Sequence, residues 1–238
     1  MKEVIILAGG FGMRLRSVVS DLPKPMAPVC GRPFLAYLLD MLGKQGCKHA
    51  VLSTGYMHEK IEQYFGDSYQ GLMLSYAIED TPLGTGGGIM NALQCCQGDE
   101  VVVMNGDTMF RIDFLALDKF FHSHDTKLTL VLRNVYSAGR RYGSVELASD
   151  GRITAFREKS STSGAGIING GTFMLHRSLF ADCGINNVCK FSFEKELMEA
   201  YVAQMPFYGI VCDTYFIDIG VPEDYQRAQS EFKGIMIQ

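Results

Sequence analysis

Residues 4–14 read VIILAGGFGMR, an apolar run that passes directly into a glycine cluster followed by an arginine. The run at 4–7 is short and rich in β-branched residues, which predicts a strand buried on both faces. Glycine has no Cβ and takes positive φ readily, so the cluster can turn several backbone N–H groups toward one point. This stretch predicts a phosphate-binding turn at the carboxyl end of a central strand.

Two cations follow the glycine cluster: Arg14, and Lys24 within the segment LPKPM at 22–26. Arg14 offers a planar fork of donors, and the prolines on either side of Lys24 restrict the backbone that carries its ammonium group. Cations beside a glycine turn suit the oxygens of a phosphate chain. We predict that Arg14 and Lys24 are catalytic residues.

Two other phosphate-binding motifs begin in a similar way, but this chain does not complete them. A dinucleotide fingerprint needs a third glycine where the chain has Met13, and an acidic residue about 20 positions further on, whereas Asp40 lies too far along. A Walker A loop needs Gly-Lys-Ser/Thr, which does not follow the cluster. A glycine turn that binds no ligand is the remaining alternative.

The two-part pattern, LAGGFGMRL at 7–15 and LPKPM at 22–26, resembles the signature of the sugar-1-phosphate nucleotidyltransferases. These enzymes join a nucleoside triphosphate to a sugar 1-phosphate and release pyrophosphate. The resemblance extends over essentially the whole chain. It implies nucleotide binding by the first glycine loop, at Leu7, Ala8, Gly9, Gly10 and Gly12.

The composition of the 238 residues excludes several classes of partner. A formal net charge of −4 argues against a nucleic-acid partner, which would favour an extended basic face. No apolar run reaches the roughly 20 residues that span a bilayer, and the first residues show no signal-peptide pattern, so we expect no membrane partner. Seven cysteines, an odd number, predict reduced thiols in a cytoplasmic protein. The sequence does not decide whether the protein forms a homo-oligomer.

Strands and helices alternate in the first half of the chain, and short strands separated by polar turns follow in the second half. The first half predicts a parallel sheet covered on both faces, with strands at 49–54, 72–78 and 100–104 and helices from Pro33 and at 58–65. The second half predicts an antiparallel lobe, with strands at 128–133, 144–147, 153–157 and 171–176.

The expected fold class is therefore α/β: a doubly wound, mostly parallel, Rossmann-like sheet with an inserted antiparallel sugar-binding lobe. We expect a single nucleotidyltransferase domain over residues 1–238. Its nucleotide-binding part would cover about 1–111 and 210–238, and its sugar-binding part about 112–209.

A second glycine-rich stretch, EDTPLGTGGG at 79–88, follows the strand at 72–78 and is expected to form a loop at the same sheet edge. The resemblance implies that it binds the base, with Gly84 and Thr85 as nucleotide-binding residues. A carboxylate at Glu79 can accept from both N1–H and N2–H of guanine, whereas it would repel the carbonyl oxygens of uracil or thymine. Glu79 therefore favours GTP, and the alternative is a carboxylate that faces solvent.

A predicted metal site follows the strand at 100–104, which delivers Asn105, Gly106 and Asp107 to the same edge. A carboxylate at the end of a buried strand needs a partner, and Mg²⁺ prefers one or two carboxylates together with phosphate oxygens. The second candidate is Asp218, in FIDIGVPEDY at 216–225. The resemblance assigns Mg²⁺ to Asp107 and Asp218, and nucleotide contacts to Asn105 and Gly106. An Asx turn is the alternative for Asp107.

The resemblance also implies a sugar-phosphate site in the middle of the chain. Glu158 would accept from sugar hydroxyls, Lys159 would pair with the phosphate, and Asn169 would both donate and accept. The full set of sugar-phosphate-binding residues is Tyr142, Gly143, Glu158, Lys159, Asn169 and Gly170. Further on, Ser192 is predicted to cap a helix.

The resemblance implies transfer of a nucleoside monophosphate from GTP to D-glycero-α-D-manno-heptose 1-phosphate, with release of pyrophosphate, for surface polysaccharide biosynthesis. Mannose 1-phosphate with GTP and N-acetylmuramate 1-phosphate with UTP are the alternatives within the family. A metal-dependent glycosyltransferase and a silent nucleotide-binding module are the alternatives from other classes.

Overall fold

The computed structural model describes residues 3–10, 12, 14–15, 18–136, 142–158 and 165–235. The strands are β1 (Glu3–Leu7), β2 (Pro28–Val29), β3 (Arg32–Pro33), β4 (His49–Thr54), β5 (Ser68–Tyr69), β6 (Leu72–Ile78), β7 (Glu100–Asn105), β8 (Thr108–Phe110), β9 (Leu128–Val135), β10 (Ser144–Leu147), β11 (Ile153–Arg157), β12 (Gly166–His176), β13 (Tyr208–Val211) and β14 (Phe216–Asp218). The helices are α1 (Phe34–Lys44), α2 (His58–Phe65), α3 (Gly84–Leu93), α4 (Phe114–His122), α5 (Leu179–Asp182) and α6 (Pro222–Ile235), with a 3₁₀ turn at Lys24–Met26 and a π-helix at Phe193–Glu199.

Four adjacent parallel strands, in the order β6-β4-β1-β7, form part of a ten-stranded sheet. The side chains of Val4, Ile5 and Ile6 in β1 are 0% exposed, because helices cover both faces of the sheet. The strand predicted from the first apolar run is therefore confirmed. The carboxyl ends of all four strands meet at one edge, as they must in a parallel sheet.

The antiparallel strands predicted for the second half are present, and they continue the same sheet. Strand β12 pairs antiparallel with β7 on one side, and its pairings with β9 and β10 are also antiparallel. Strand β12 begins at Gly166, earlier than the predicted start at 171. The reason is a bulge: pairing with β9 is interrupted after Asn169 and resumes at Thr172.

Helices pack against both faces of the sheet and enclose two cores. One core joins α1 to α6, where the rings of Phe34 and Phe232 lie 5.8 Å apart. The other joins the sheet to α3, α5 and the π-helix, where Phe173 and Phe193 stack at 4.6 Å. This arrangement confirms the doubly wound, mostly parallel α/β class. Among the described residues, no helix is long and apolar enough to cross a bilayer.

The second glycine-rich stretch is helical from Gly84 onward, so the prediction of a loop there was wrong. Glycine has low helix propensity, but tertiary packing compensates at this place. A Cβ on Gly86 would lie 2.1 Å from the ring of Phe191, and one on Gly87 would lie 2.2 Å from the carbonyl oxygen of Cys189. The glycines allow the segment before the π-helix to lie directly on α3.

All seven cysteines are free thiols. Burial raises the pKa of Cys96 to about 12 and that of Cys183 to about 11. Such thiols stay protonated near neutral pH, and the thiolate is the reactive form. Cys96 and Cys183 are therefore packing residues.

Candidate active site

A cavity of about 320 Å³, here called the glycine-loop cavity, opens at the carboxyl edge of the parallel strands. Each of the four strands ends at it, because Leu7, Ser53 and Asn105 are strand residues and Glu79 follows β6 directly. Pro82 and Asp107 also line it. Most of the predicted nucleotide-binding residues meet here: Leu7, Gly9, Gly10, Glu79, Gly84, Thr85 and Asn105.

Three predicted nucleotide-binding residues, Ala8, Gly12 and Gly106, do not line this cavity. Ala8 is 1% exposed, and its N–H donates to the carbonyl oxygen of Ser53 at 2.7 Å. The N–H of Gly106 donates to the carbonyl oxygen of Leu7 at 2.9 Å. Gly12 packs against the side chain of Lys24. These three residues fix the backbone around the cavity.

The carboxylate of Glu79 is held by one protein donor on each oxygen. Ser53 Oγ donates to Oε1 at 3.0 Å, and the N–H of Leu83 donates to Oε2 at 2.9 Å. The helix α3 comes close at this point, since a Cβ on Gly88 would lie 2.7 Å from Oε1. A carboxylate has about four lone-pair sites, so each oxygen can accept one more hydrogen bond from a ligand.

The two predicted metal ligands come together through a small antiparallel ribbon of β8 and β14. Asp107 immediately precedes β8, and Asp218 in β14 pairs with Thr108. The N–H of Ile219 donates to the carbonyl oxygen of Asp107 at 3.0 Å. The ribbon thus brings two carboxylates from distant parts of the chain to the same edge of the sheet.

Lys24 lies between these two carboxylates. Its Nζ forms an ion pair with Asp107 Oδ2 and lies 4.0 Å from Asp218 Oδ1. Its side chain is only 12% exposed. A Cβ on Gly220 would lie 2.7 Å from Nζ, so a larger residue there would displace the lysine. Three charged residues that the sequence predicted separately form one cluster.

The donor set at this cluster fits Mg²⁺. Both candidate ligands are carboxylates, which a hard cation prefers, and one lysine does not balance two of them. Neighbouring donors orient them, since Thr108 Oγ1 donates to Asp107 Oδ1 at 3.1 Å and the N–H of Gly220 donates to Asp218 Oδ1 at 2.7 Å.

A second group of metal-capable side chains lies elsewhere in the described part of the chain. It consists of Glu100, Asp118 and His122, whose potential ligand atoms lie within 4.8 Å of one another. Glu100 begins β7, whereas Asp107 follows the end of β7, so the two groups lie at opposite edges of the sheet. This group is separate from the candidate active site.

A second cavity of about 380 Å³ adjoins the first, and we call it the bulge cavity after the irregularity that follows Asn169. Asn169 donates its N–H to the carbonyl oxygen of Gly143 at 3.0 Å, and its Oδ1 accepts from the N–H of Gly171 at 3.1 Å. The predicted sugar-phosphate-binding residues Tyr142, Gly143, Glu158, Asn169 and Gly170 line it together. Lys159 lies outside the described residues.

The two cavities share a wall made of Thr85, Asn105 and Asp107. Arg14 and Asp218 line the bulge cavity, and Lys24 lies between Asp218 and Asp107 of the shared wall. A ligand in each cavity would therefore meet at the cluster of carboxylates and cations. This geometry suits a reaction between two phosphate-bearing substrates, one held in each cavity.

Two of the cavity residues that were not predicted from the sequence, Glu194 and Ser53, form hydrogen bonds with predicted site residues. Glu194 lines the bulge cavity, where its Oε2 accepts from Thr85 Oγ1 at 2.5 Å and from Ser192 Oγ at 3.1 Å. The predicted cap at Ser192 is confirmed, since its Oγ accepts from the N–H of Lys195. No local pattern reveals Glu194. Ser53, the other residue, is the penultimate residue of the parallel strand β4, and the rule that identified Asn105 at the end of β7 would also have found it.

A family model for nucleotidyl transferases matches residues 3–233. The chain belongs to the nucleotidyl transferase family. The family resemblance predicted from the glycine loop and the LPKPM segment is confirmed, and this nucleotidyl transferase is an enzyme.

Two relatives of this nucleotidyl transferase bear the same name, D-glycero-alpha-D-manno-heptose 1-phosphate guanylyltransferase. The protein from Aneurinibacillus thermoaerophilus is 46% identical over 97% of this chain and 98% of its own length. The protein from Campylobacter jejuni is 41% identical over 94% of this chain and 96% of its own length.

A solved structure is also similar along its whole length. The crystal structure of HddC from Yersinia pseudotuberculosis complexed with GMP-PN has a TM-score of 0.84 and 37% sequence identity to this chain. The match covers 98% of this chain and 100% of that one.

Proposed function

We propose that this nucleotidyl transferase transfers GMP from GTP to D-glycero-α-D-manno-heptose 1-phosphate, giving GDP-heptose and pyrophosphate. The observation that carries the proposal is the shared wall at Asp107, where the glycine-loop cavity and the bulge cavity meet. The names of the relatives from A. thermoaerophilus and C. jejuni support the pair of substrates.

The base would bind in the glycine-loop cavity beside Glu79. Each carboxylate oxygen already accepts one protein hydrogen bond, and each retains capacity for one from guanine. Guanine offers N1–H and N2–H side by side, which matches two adjacent acceptors. The GMP-PN complex of the similar solved structure supports a guanine nucleotide.

The phosphates would lie along the shared wall, close to Lys24 and Arg14. An ammonium group has three donors, so Lys24 can keep its ion pair with Asp107 and still donate to the α-phosphate. Arg14 and the backbone of the first glycine loop would hold the leaving pyrophosphate. Both reactants are anions, so the barrier is largely electrostatic, and fixed cations lower it.

Asp107 and Asp218 would hold Mg²⁺, and the bound ion would supply positive charge to the phosphate oxygens of both substrates. The attacking group is a sugar phosphate, which is already ionised at neutral pH. Its attack on the α-phosphorus needs no general base. The residues of this chain therefore act mainly by positioning and by charge.

The sugar would bind in the bulge cavity. Glu158 and Asn169 would accept hydrogen bonds from its hydroxyls, and Lys159 would pair with its phosphate. We propose that residues 112–209 contribute the sugar-binding part of the domain, and that residues 1–111 and 210–238 contribute the nucleotide-binding part. The product would be used in surface polysaccharide synthesis. The enzyme would work in the cytoplasm, where reduced thiols such as those of this chain persist.

The experiment that tests this function is pyrophosphate release by the purified protein with Mg²⁺. GTP, UTP, dTTP, ATP and CTP are each offered with heptose 1-phosphate, mannose 1-phosphate and N-acetylmuramate 1-phosphate. We expect the highest kcat/KM with GTP and heptose 1-phosphate. A higher value with mannose 1-phosphate would overturn the choice of sugar, and a higher value with UTP would overturn the choice of base. A metal-dependent glycosyltransferase would release no pyrophosphate in any combination.

A further inference from the structure

Ser53 lies at the carboxyl end of β4 and is a buried polar residue, with 1% of its surface exposed. Its hydroxyl oxygen lies 3.0 Å from Glu79 Oε1 and 3.4 Å from the carbonyl oxygen of Gly88. A serine has only one proton to donate. The carboxylate is both closer and charged, and charge-assisted hydrogen bonds are the stronger ones, so Ser53 donates to Glu79.

The other oxygen of Glu79 is fixed independently. The backbone N–H of Leu83 donates to Oε2, and Leu83 immediately precedes α3. The two donors come from different elements, one from the end of β4 and one from the start of α3. Two donors on two oxygens determine the plane of the carboxylate, which a single donor would leave free to rotate about its terminal bond.

The plane of this carboxylate matters for recognition of the base. The N1–H and N2–H of guanine lie in the plane of the ring and point in the same direction. Both can be accepted only by a carboxylate that lies close to the same plane. A rotated carboxylate accepts one of them and leaves the other without a partner.

We infer that Ser53 is a positioning residue that fixes the plane of the Glu79 carboxylate and thereby sets the selectivity for guanine. This inference rests on the proposed function, since it takes Glu79 as the residue that binds the base. Removal of the hydroxyl leaves Oε1 without its protein donor. We expect Ser53→Ala to raise KM for GTP by about tenfold, the usual effect of one lost hydrogen bond to a charged group.

The same substitution is expected to narrow the preference for GTP over inosine triphosphate, which lacks the 2-amino group. The wild type uses both carboxylate oxygens and distinguishes the two nucleotides. The variant binds either nucleotide mainly through N1–H. The Ser53 hydroxyl contacts Glu79 and not the cluster of Lys24 with its two carboxylates, so we expect kcat at saturating GTP to stay within about twofold of wild type.

Thr54→Val is the matched control. Thr54 is the next residue of β4 and is 0% exposed, and its side chain lies on the opposite face of the sheet from Ser53. Its Oγ1 has no hydrogen-bond partner among the described residues. Thr54→Val removes a buried hydroxyl from the same strand, so we expect unchanged KM values for both nucleotides.

The experiment is steady-state pyrophosphate release with GTP and with inosine triphosphate, for the wild type, Ser53→Ala, Thr54→Val and Glu79→Gln. The inference is supported if Ser53→Ala shows a higher KM for GTP and a smaller preference for GTP over inosine triphosphate, and Thr54→Val shows neither change. The inference is overturned if Ser53→Ala keeps the wild-type KM for GTP and the wild-type preference for GTP over inosine triphosphate. An equal rise of KM for both nucleotides and the sugar phosphate in Ser53→Ala also overturns it, since that result indicates general damage.

The Glu79→Gln variant separates this inference from the proposed function. If Glu79→Gln loses the guanine preference and Ser53→Ala keeps it, the role of Ser53 is wrong and the proposed function stands. If the wild type shows no guanine preference at all, the proposed choice of base is wrong, and the role of Ser53 is rejected with it.

Discussion

The glycine-loop cavity and the bulge cavity share a wall at Asp107, but the chain builds them in different ways. The glycine-loop cavity is formed by the carboxyl ends of four parallel strands, so its residues follow directly from strand order. The bulge cavity is assembled from antiparallel strands, a β-bulge and the start of a π-helix. The first is set by topology, and the second by contacts between distant segments. The two can therefore be perturbed separately.

The largest expected effect comes from the charged cluster of Lys24, Asp107 and Asp218, which includes Asp107 of the shared wall. Lys24→Ala removes the cation that lies beside both carboxylates, and we expect kcat to fall by about 10³-fold. Pyrophosphate release measures the loss, and thermal unfolding checks that the fold is retained. Lys44→Ala, at the end of α1, is the control with unchanged kcat. Turnover close to wild type in Lys24→Ala would reject its catalytic role.

The next effect concerns Mg²⁺ at the same charged cluster. Asp218→Asn removes one of the two carboxylate ligands while keeping its shape, and we expect activity to fall by about 10²-fold and to need more Mg²⁺. The measurement is activity as a function of Mg²⁺ concentration, with EDTA as the zero point.

The matched control for the metal prediction is Asp118→Asn, at the other group of metal-capable side chains. We expect the same Mg²⁺ dependence in this variant as in the wild type. If Asp118→Asn shifted the dependence and Asp218→Asn did not, the assignment of the metal to Asp107 and Asp218 would be wrong.

A smaller and more selective effect is expected in the bulge cavity. Glu158→Gln keeps the shape of the side chain and removes its charge, and we expect KM for the sugar phosphate to rise by about tenfold. KM for GTP should not change, because Glu158 does not line the glycine-loop cavity. Steady-state kinetics with each substrate varied in turn gives both values. Equal changes in both KM values would mean that the two cavities are not independent.

The residue patterns alone predicted the glycine-loop cavity, whereas the residues of the bulge cavity came from the family resemblance, and the reason is physical. Periodicity and strand order place Glu79 and Asn105 at the same edge, since parallel strands end there together. The resemblance supplied the residues of the bulge cavity, but nothing local predicted Glu194. Its partner Thr85 is distant in the sequence, and only the packed fold brings them to 2.5 Å.

Two local errors have the same origin. The glycines of α3 looked like a loop because glycine disfavours helices, and the close approach of Phe191 that requires them is a tertiary contact. Strand β12 begins earlier than predicted because the bulge after Asn169 lets two glycines interrupt the pairing without ending the strand. Secondary-structure propensity describes an isolated segment, whereas tertiary packing determines the secondary structure at both of these places.

The central claim is that one cavity selects guanine and the other selects the sugar. The most direct test is to measure KM for GTP and for heptose 1-phosphate in Glu79→Gln and in Glu158→Gln. We predict that Glu79→Gln raises KM for GTP by about tenfold or more and leaves KM for the sugar phosphate unchanged, with the reverse pattern in Glu158→Gln. The claim would be contradicted if Glu79→Gln raised only KM for the sugar phosphate and Glu158→Gln only KM for GTP, or if each variant raised both KM values.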